Sequence, residues 1–189
     1  MWTYKILDHL PHPPKNFLDI ADEYLKNNDW GHDPLNLAEK YKDRVLLRNG
    51  ESVGFTFHHY HELDEEFVEW AQKEIHPAAF DCGIRFLDGK PGPFLGPHTD
   101  IRRDISIMYV LDHGGADVET VWYQEEGHDV VRGRSVHAND YSKLDVVDRV
   151  RFPERTWVIL NTLILHGVEN VTGVRTAFQL SANEDIWSK

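Results

Sequence analysis

The sequence predicts an α+β chain that is mainly β: an antiparallel sandwich or barrel led by helices. Two observations carry this. After Pro77, short runs of Val, Ile, Thr and aromatic residues alternate with Gly, Pro, Asp and Asn, which is the pattern of short strands separated by turns. Before Pro77, apolar residues recur at helical spacing. Leading helices followed by many short strands suit one layered domain. A length of 189 residues fits a single domain, with 1–77 as a partly helical support and 78–189 as the core that carries the chemistry. The composition, 41% hydrophobic and 12% aromatic, is globular and not disordered.

Each element has a local reason. Pro13-Pro14 can open a helix that carries Phe17, Ile20, Ala21, Tyr24 and Leu25 on one face. A second helix is expected from Asp64 to about Ile75, with Phe67, Val68, Ala71 and Ile75 as its apolar stripe and Pro77 as its stop. Strands are expected at Cys82–Leu87, Ile105–Leu111, Glu119–Tyr123, Thr156–Ile164 and Thr176–Leu180. The Gly89–Pro93 segment and His113-Gly114-Gly115 read as turns. The polar stretch from about Arg132 to Arg151 reads as a long loop, of the kind that often serves as a lid.

Charge excludes several functions. The net charge is −12, and no Lys/Arg cluster exceeds Arg102-Arg103. Nucleic-acid binding and anionic membranes are therefore not expected. Arg102 and Arg103 read as solvated surface charge. An anionic ligand must be held by local positive groups, because the overall field repels it. A single cysteine, Cys82, excludes a disulfide framework and a cysteine-based zinc site. No apolar run approaches the roughly 20 residues of a membrane span, and the first residues do not resemble a signal peptide. A soluble, cytoplasmic protein is expected.

The chemistry is concentrated in a few positions. His98-Thr99-Asp100 places an imidazole and a carboxylate on one face of an extended segment. A third ligand is expected from His166, which follows the apolar run Trp157–Leu165 and precedes Gly167. Two His and one carboxylate leave three positions open on an octahedral metal, the arrangement of non-haem iron(II) oxygenases. Alone, the His-x-Asp is equally an ordinary turn. Arg175 adds weight. It lies nine residues after His166, where a hairpin would return it alongside the strand that carries His166. A buried Arg needs a partner, and its planar fork suits a carboxylate. Among the remaining histidines, His58, His59 and His61 share a strand or turn, where neighbours face opposite ways and do not readily share a metal. His9, His12, His32, His76, His113, His128 and His137 read as surface or loop residues.

The ordered set His98-x-Asp100, His166, Arg175 resembles the iron(II)/2-oxoglutarate-dependent dioxygenases, in particular their compact prolyl-hydroxylase-like group. The resemblance covers about Cys82 to Ser181 and extends to the strand Ile105–Leu111 with the Gly114-Gly115 turn after it. It implies a double-stranded β-helix, or jelly roll, with N-terminal supporting helices. It implies iron(II) on His98, Asp100 and His166, and 2-oxoglutarate on Arg175. It also implies dioxygen and a small-molecule or peptidyl substrate to be hydroxylated, with ascorbate as a candidate stimulant. Two positions depart from the family. Ala177 stands where many members have a serine hydroxyl, and Phe86 and Leu87 stand where many have a tyrosine. A second hydroxyl anchor must then come from elsewhere. Strand parity puts Ser106, Met108 and Val110 on one face and Tyr109 on the other, which makes Ser106 the candidate. The rival readings are a cupin-type metalloenzyme and a jelly-roll binding module without catalysis.

Overall fold

The computed structural model describes residues 2–31, 39, 46–48, 51–53, 58–88, 95–125, 130–132, 136–138 and 140–183. The chain begins with β1 (Tyr4–Leu7) and helix α1 (Lys15–Asn27). A small hairpin, β2 (Leu46–Arg48) with β3 (Glu51–Val53), leads to β4 (His58–Glu62) and helix α2 (Glu65–Glu74). Ten strands follow: β5 (Phe80–Asp88), β6 (Leu95–His98), β7 (Ile105–Asp112), β8 (Glu119–Tyr123), β9 (Val130–Arg132), β10 (Val136–Ala138), β11 (Val146–Val150), β12 (Trp157–Asn161), β13 (His166–Glu169) and β14 (Val174–Ala182).

Both helices start and stop where local chemistry dictates. Pro14 sits just before α1 at φ −53°, and Asn28 closes it in the left-handed region at φ 52°. The Asp64 carboxylate accepts a hydrogen bond from Phe67 N at the start of α2. Glu65 and Glu66 in its first turn suit the positive end of the helix dipole.

Two six-stranded antiparallel sheets form a jelly roll. The first has the order β1-β12-β7-β14-β5-β4 and the second β11-β8-β13-β6-β10-β9. The segment before Pro77 thus supplies more than helices, since β1 and β4 form the two edges of the first sheet. Period-two alternation splits β14 cleanly. Phe178, Leu180 and Ala182 join Ile84, Phe86, Ile107, Tyr109, Trp157 and Ile159 in the main core, under Phe17 and Ala21 of α1 and Phe67 and Ala71 of α2. The opposite face carries Arg175, Ala177, Gln179 and Ser181, all buried. Ala177 packs there with Met108, Val110, Val158 and Leu160 of the first sheet and Trp122 of the second. The parity expected on β7 therefore holds, with Met108 and Val110 inside and Tyr109 outside.

Three expectations need correction. The stretch 132–151 is not one long loop. Its described part includes β10, a 3-10 turn at Tyr141–Lys143 and β11, and β11 pairs with β8. The apolar run expected to form a strand to Ile164 ends as a strand at Asn161, because the next residues turn to let β13 enter the other sheet. For the same reason β14 does not return alongside β13. It pairs with β5 and β7 in the opposite sheet. The turn at 89–93, along with His32 and His128, lies outside the described residues. No helix among the described residues is long and apolar enough to cross a membrane.

Phe67 is fully buried, with ring contacts to Phe17 at 4.8 Å and Phe178 at 5.4 Å. It fastens both helices to the outer face of the first sheet. Phe67→Ala is expected to cost about 3–5 kcal/mol in denaturant unfolding, against less than about 0.5 kcal/mol for Leu163→Ala at an exposed site. Equal losses for the two would contradict this account of the core.

Candidate metal centre and its surroundings

The second sheet brings two of the three expected ligands together. Antiparallel pairing of β6 and β13 sets His98 opposite His166, with ring centroids 4.7 Å apart. Asp100 follows in a loop fastened at both ends. Its N–H donates to Thr162 O at 3.1 Å, and Thr162 Oγ1 donates to Arg103 O at 3.0 Å. One ligand atom from each of His98, Asp100 and His166 lies within 4.8 Å of the others.

The hydrogen bonds orient these groups as ligands. His98 Nδ1 lies 2.8 Å from Gly96 O, and His166 Nδ1 lies 2.9 Å from Ile164 O. A carbonyl only accepts, so both Nδ1 atoms carry the proton and both Nε2 lone pairs are free. His98 Nε2 is 3.4 Å from Asp100 Oδ1, close to the roughly 3 Å that two adjacent donors about 2.1 Å from one ion would keep. The other Asp100 oxygen is taken by Arg103 Nε at 2.6 Å, so Oδ1 alone faces the imidazoles. Burial by itself would raise the Asp100 pKa. The Arg103 guanidinium, with His98 and His166 beside it, outweighs burial and holds the carboxyl well below its usual range. Burial, then His98, lowers His166 to about 4. All three groups fit a divalent metal, and two His with one carboxylate is the donor set of non-haem iron(II). Arg103, expected at the surface, is instead built into the site.

Arg175 reaches this region from the other sheet. It is 3% exposed, and Nη1 and Nη2 each approach Thr120 Oγ1 on β8 at 3.5 Å. Its Nε is buried without a partner, and among the described residues no carboxylate pairs with it. Burial, then Arg151, lowers its pKa to about 10. Gly114 braces it from behind. This glycine has φ 71°, and an added Cβ would lie 2.6 Å from Arg175 N. Its carbonyl accepts from Thr172 N and Gly173 N. The Gly114-Gly115 turn therefore locks the start of β14.

The register corrects the choice of a hydroxyl anchor. Ser106 faces the interior but pairs with Ser181, six positions along β14 from Arg175, roughly 20 Å away at the usual strand rise. It accepts from Gln179 Nε2 at 2.7 Å. The hydroxyl beside Arg175 belongs to Thr120. Parity on β8 would have pointed Thr120 inward with Trp122, but nothing in the sequence said that β8 faces β14. Ala177 has become part of the apolar interior beside Trp122.

The other histidines are varied. His76 and His113, expected at the surface or in loops, lie in loops and are buried, and His113 Nε2 lies 2.8 Å from Phe152 O. His61 stacks on Tyr24 and contacts Asp29. His58 is the residue the sequence undervalued. Its Nδ1 is buried without a partner. Burial, then Arg85, Arg175, His98 and Arg103, holds its pKa well below normal.

A Pseudomonas putida prolyl-4-hydroxylase of known structure overlays 96% of this chain and 93% of its own, with a TM-score of 0.51 at 11% identity. An oxidoreductase of the 2OG-Fe(II) oxygenase family from Burkholderia pseudomallei overlays 79% of this chain and 78% of its own, with a TM-score of 0.45 at 12% identity. A Cellulomonas parahominis L-ribose isomerase overlays 68% and 61%, with a TM-score of 0.34 at 14% identity. The first overlay shows a shared fold, and the other two overlap too slightly to define one. No protein-family profile and no curated protein matches the sequence.

His58, His113 and His166 are all held neutral in the folded state. In the unfolded chain a histidine protonates near pH 6.5. Between about pH 6.5 and about 4 the unfolded state therefore binds more protons, and stability falls as pH falls. His166 alone contributes on the order of 3 kcal/mol across that window. The urea midpoint of the metal-free protein should drop stepwise from pH 7.5 through 6 to 4.5. A flat midpoint would contradict the burial of neutral imidazoles.

Proposed function

We propose that this chain is an iron(II)- and 2-oxoglutarate-dependent oxygenase of the superfamily that includes the prolyl-4-hydroxylases, and that it hydroxylates a small or peptidyl substrate. The observation that carries this reading is Arg175, a buried guanidinium with no carboxylate partner among the described residues, placed across the interior from two imidazoles and a carboxylate. A cation held this way needs an anion supplied from outside.

In this reading His98 Nε2, Asp100 Oδ1 and His166 Nε2 hold the iron, and Arg175 with Thr120 takes the distal carboxylate of 2-oxoglutarate. Thr120 lies two residues along β8 from Trp122, the cross-strand partner of His166. That is about 7 Å along the strand, a separation that a five-carbon dicarboxylate can bridge. Leu87, Val118, Val168 and Val171 form an apolar cluster beside Arg175, suited to the methylene carbons and to keeping water out. When bound, the iron supplies the coupling of oxidative decarboxylation to oxygen insertion. The chain's part is to hold both reactants in fixed geometry. Arg103 keeps Asp100 ionised and turned so that one oxygen faces the imidazoles.

Anaerobic addition of iron(II) and 2-oxoglutarate should produce a metal-to-ligand charge-transfer band, and admission of air should release succinate. His166→Ala should abolish the band. Arg175→Gln should weaken 2-oxoglutarate binding by at least about tenfold, in line with the loss of a charge-assisted pair, while metal binding persists. No band, or one unchanged in His166→Ala, sinks the oxygenase reading. A band without succinate under any substrate tried favours a binding module on the same fold.

A further inference from the structure

The metal triad and Arg175 leave a second set of buried polar groups on the inner face unused. Arg85 on β5 pairs across the strand with Ala177. Ala177 clusters with Trp122, the partner of His166. Arg85 is therefore level with the metal ligands, on the sheet opposite them. Arg85 Nε donates to Gln179 Oε1 at 2.8 Å, and Nη2 donates to Asp81 Oδ2 at 3.1 Å. The guanidinium lies 3.5 Å over the Tyr60 ring. Gly83 makes this possible, since a Cβ there would sit 2.0 Å from the Tyr60 ring edge.

This pairing is lopsided. The Arg85 side chain is 8% exposed and that of Asp81 is 44% exposed, so a cation out of water is matched by a carboxylate that is nearly half in it. Asp81 also accepts from Tyr60 Oη at 3.0 Å and Ser181 Oγ at 3.4 Å, and it sits at φ 48°. Its charge is shared. Among the described residues, Arg85 Nη1 has no partner. Burial, then Arg103, lowers Arg85 to about 10, as burial does for Arg175. The neutral His58, with its unpartnered Nδ1, stands in the field of the same arginines.

Charge bookkeeping points the same way. Arg85, Arg103 and Arg175 face Asp81 and Asp100 in the space between the sheets. Iron(II) and the 2-oxoglutarate dianion cancel each other. Among the described residues, one positive charge is left over in the interior of a protein whose net charge is −12.

We propose that the primary substrate carries a carboxylate, and that the Arg85 fork, held by Gln179 and Asp81 with His58 beside it, receives that group opposite the metal. Arg suits this because its planar donors match a carboxylate. An apolar or cationic substrate would leave the extra charge unpaired. This inference rests on the oxygenase reading above.

The test uses four carboxylates, each against its own primary amide: N-acetylglycine, N-acetylaspartate, hexanoate and benzoate. They are titrated into the anaerobic iron(II)–2-oxoglutarate protein while the charge-transfer band is followed. Binding beside the metal shifts the band, whereas competition at Arg175 abolishes it. At least one carboxylate should shift the band at tenfold lower concentration than its amide. Arg85→Gln should lose that preference, while its own band reports that the variant is folded and loaded. Amides as effective as the acids, no shift by any acid, or a preference retained in Arg85→Gln overturns the proposal. If the wild-type protein forms no band, the oxygenase reading has failed. The same pairs then go to thermal unfolding of the metal-free protein: a carboxylate-selective rise lost in Arg85→Gln keeps Arg85 as a carboxylate site, and its absence overturns that as well.

Discussion

When β13 hydrogen-bonds antiparallel to β6, His166 falls opposite His98, and the loop leaving β6 carries Asp100 back between them. The rest of the site is arranged around this register. A slip of one residue would turn an imidazole to the other face of the sheet. The fold resists that slip on three sides. Thr120, Val121 and Trp122 hold β13 from β8, Thr162 ties down the Asp100 loop, and the backbone carbonyls of Gly96 and Ile164 fix the ring tautomers.

The interior between the sheets differs from an ordinary core. It holds Arg85, Arg175, Gln179, Ser106 and Ser181, nearly all out of contact with solvent. Burying such groups is unfavourable unless each finds a partner. Most do, in a chain that runs from Asp100 through Arg103 and Ser181 to Asp81 and Arg85, then on to Gln179 and Ser106. Arg175 Nε and His58 Nδ1 are buried there without a hydrogen-bond partner. The largest apolar cluster lies on the other face, beneath the helices.

Much of this was legible in the sequence, for identifiable reasons. Helical spacing and proline placed both helices within a residue or two of where they stand. The i, i+2 relation of His98 and Asp100, and the position of His166 after an apolar run, needed only strand parity. What failed was everything that depends on which strand meets which. The pairing of β14 with β5 and β7 instead of β13 is a long-range choice, and it moved the expected hydroxyl from Ser106 to Thr120. Arg103 was misjudged, and His58 passed over, for the same reason. A charged residue in a loop and a histidine on an edge strand look solvated until the far side of the fold is known. The β-structure within 132–151 lacked a strong apolar alternation, because β11 is a largely exposed edge strand.

The division of β14 into an outer apolar and an inner polar set has an evolutionary consequence. Substitutions on the two faces are nearly independent, since a change at Gln179 or Ser181 leaves the contacts of Phe178 and Leu180 in place. The inner residues can therefore be exchanged without disturbing the apolar scaffold. Overlay on a prolyl-4-hydroxylase across 96% of the chain at 11% identity shows that very different sequences reach this fold. What the layered architecture asks of its outer face is apolar bulk at alternate positions, a demand that very many sequences meet.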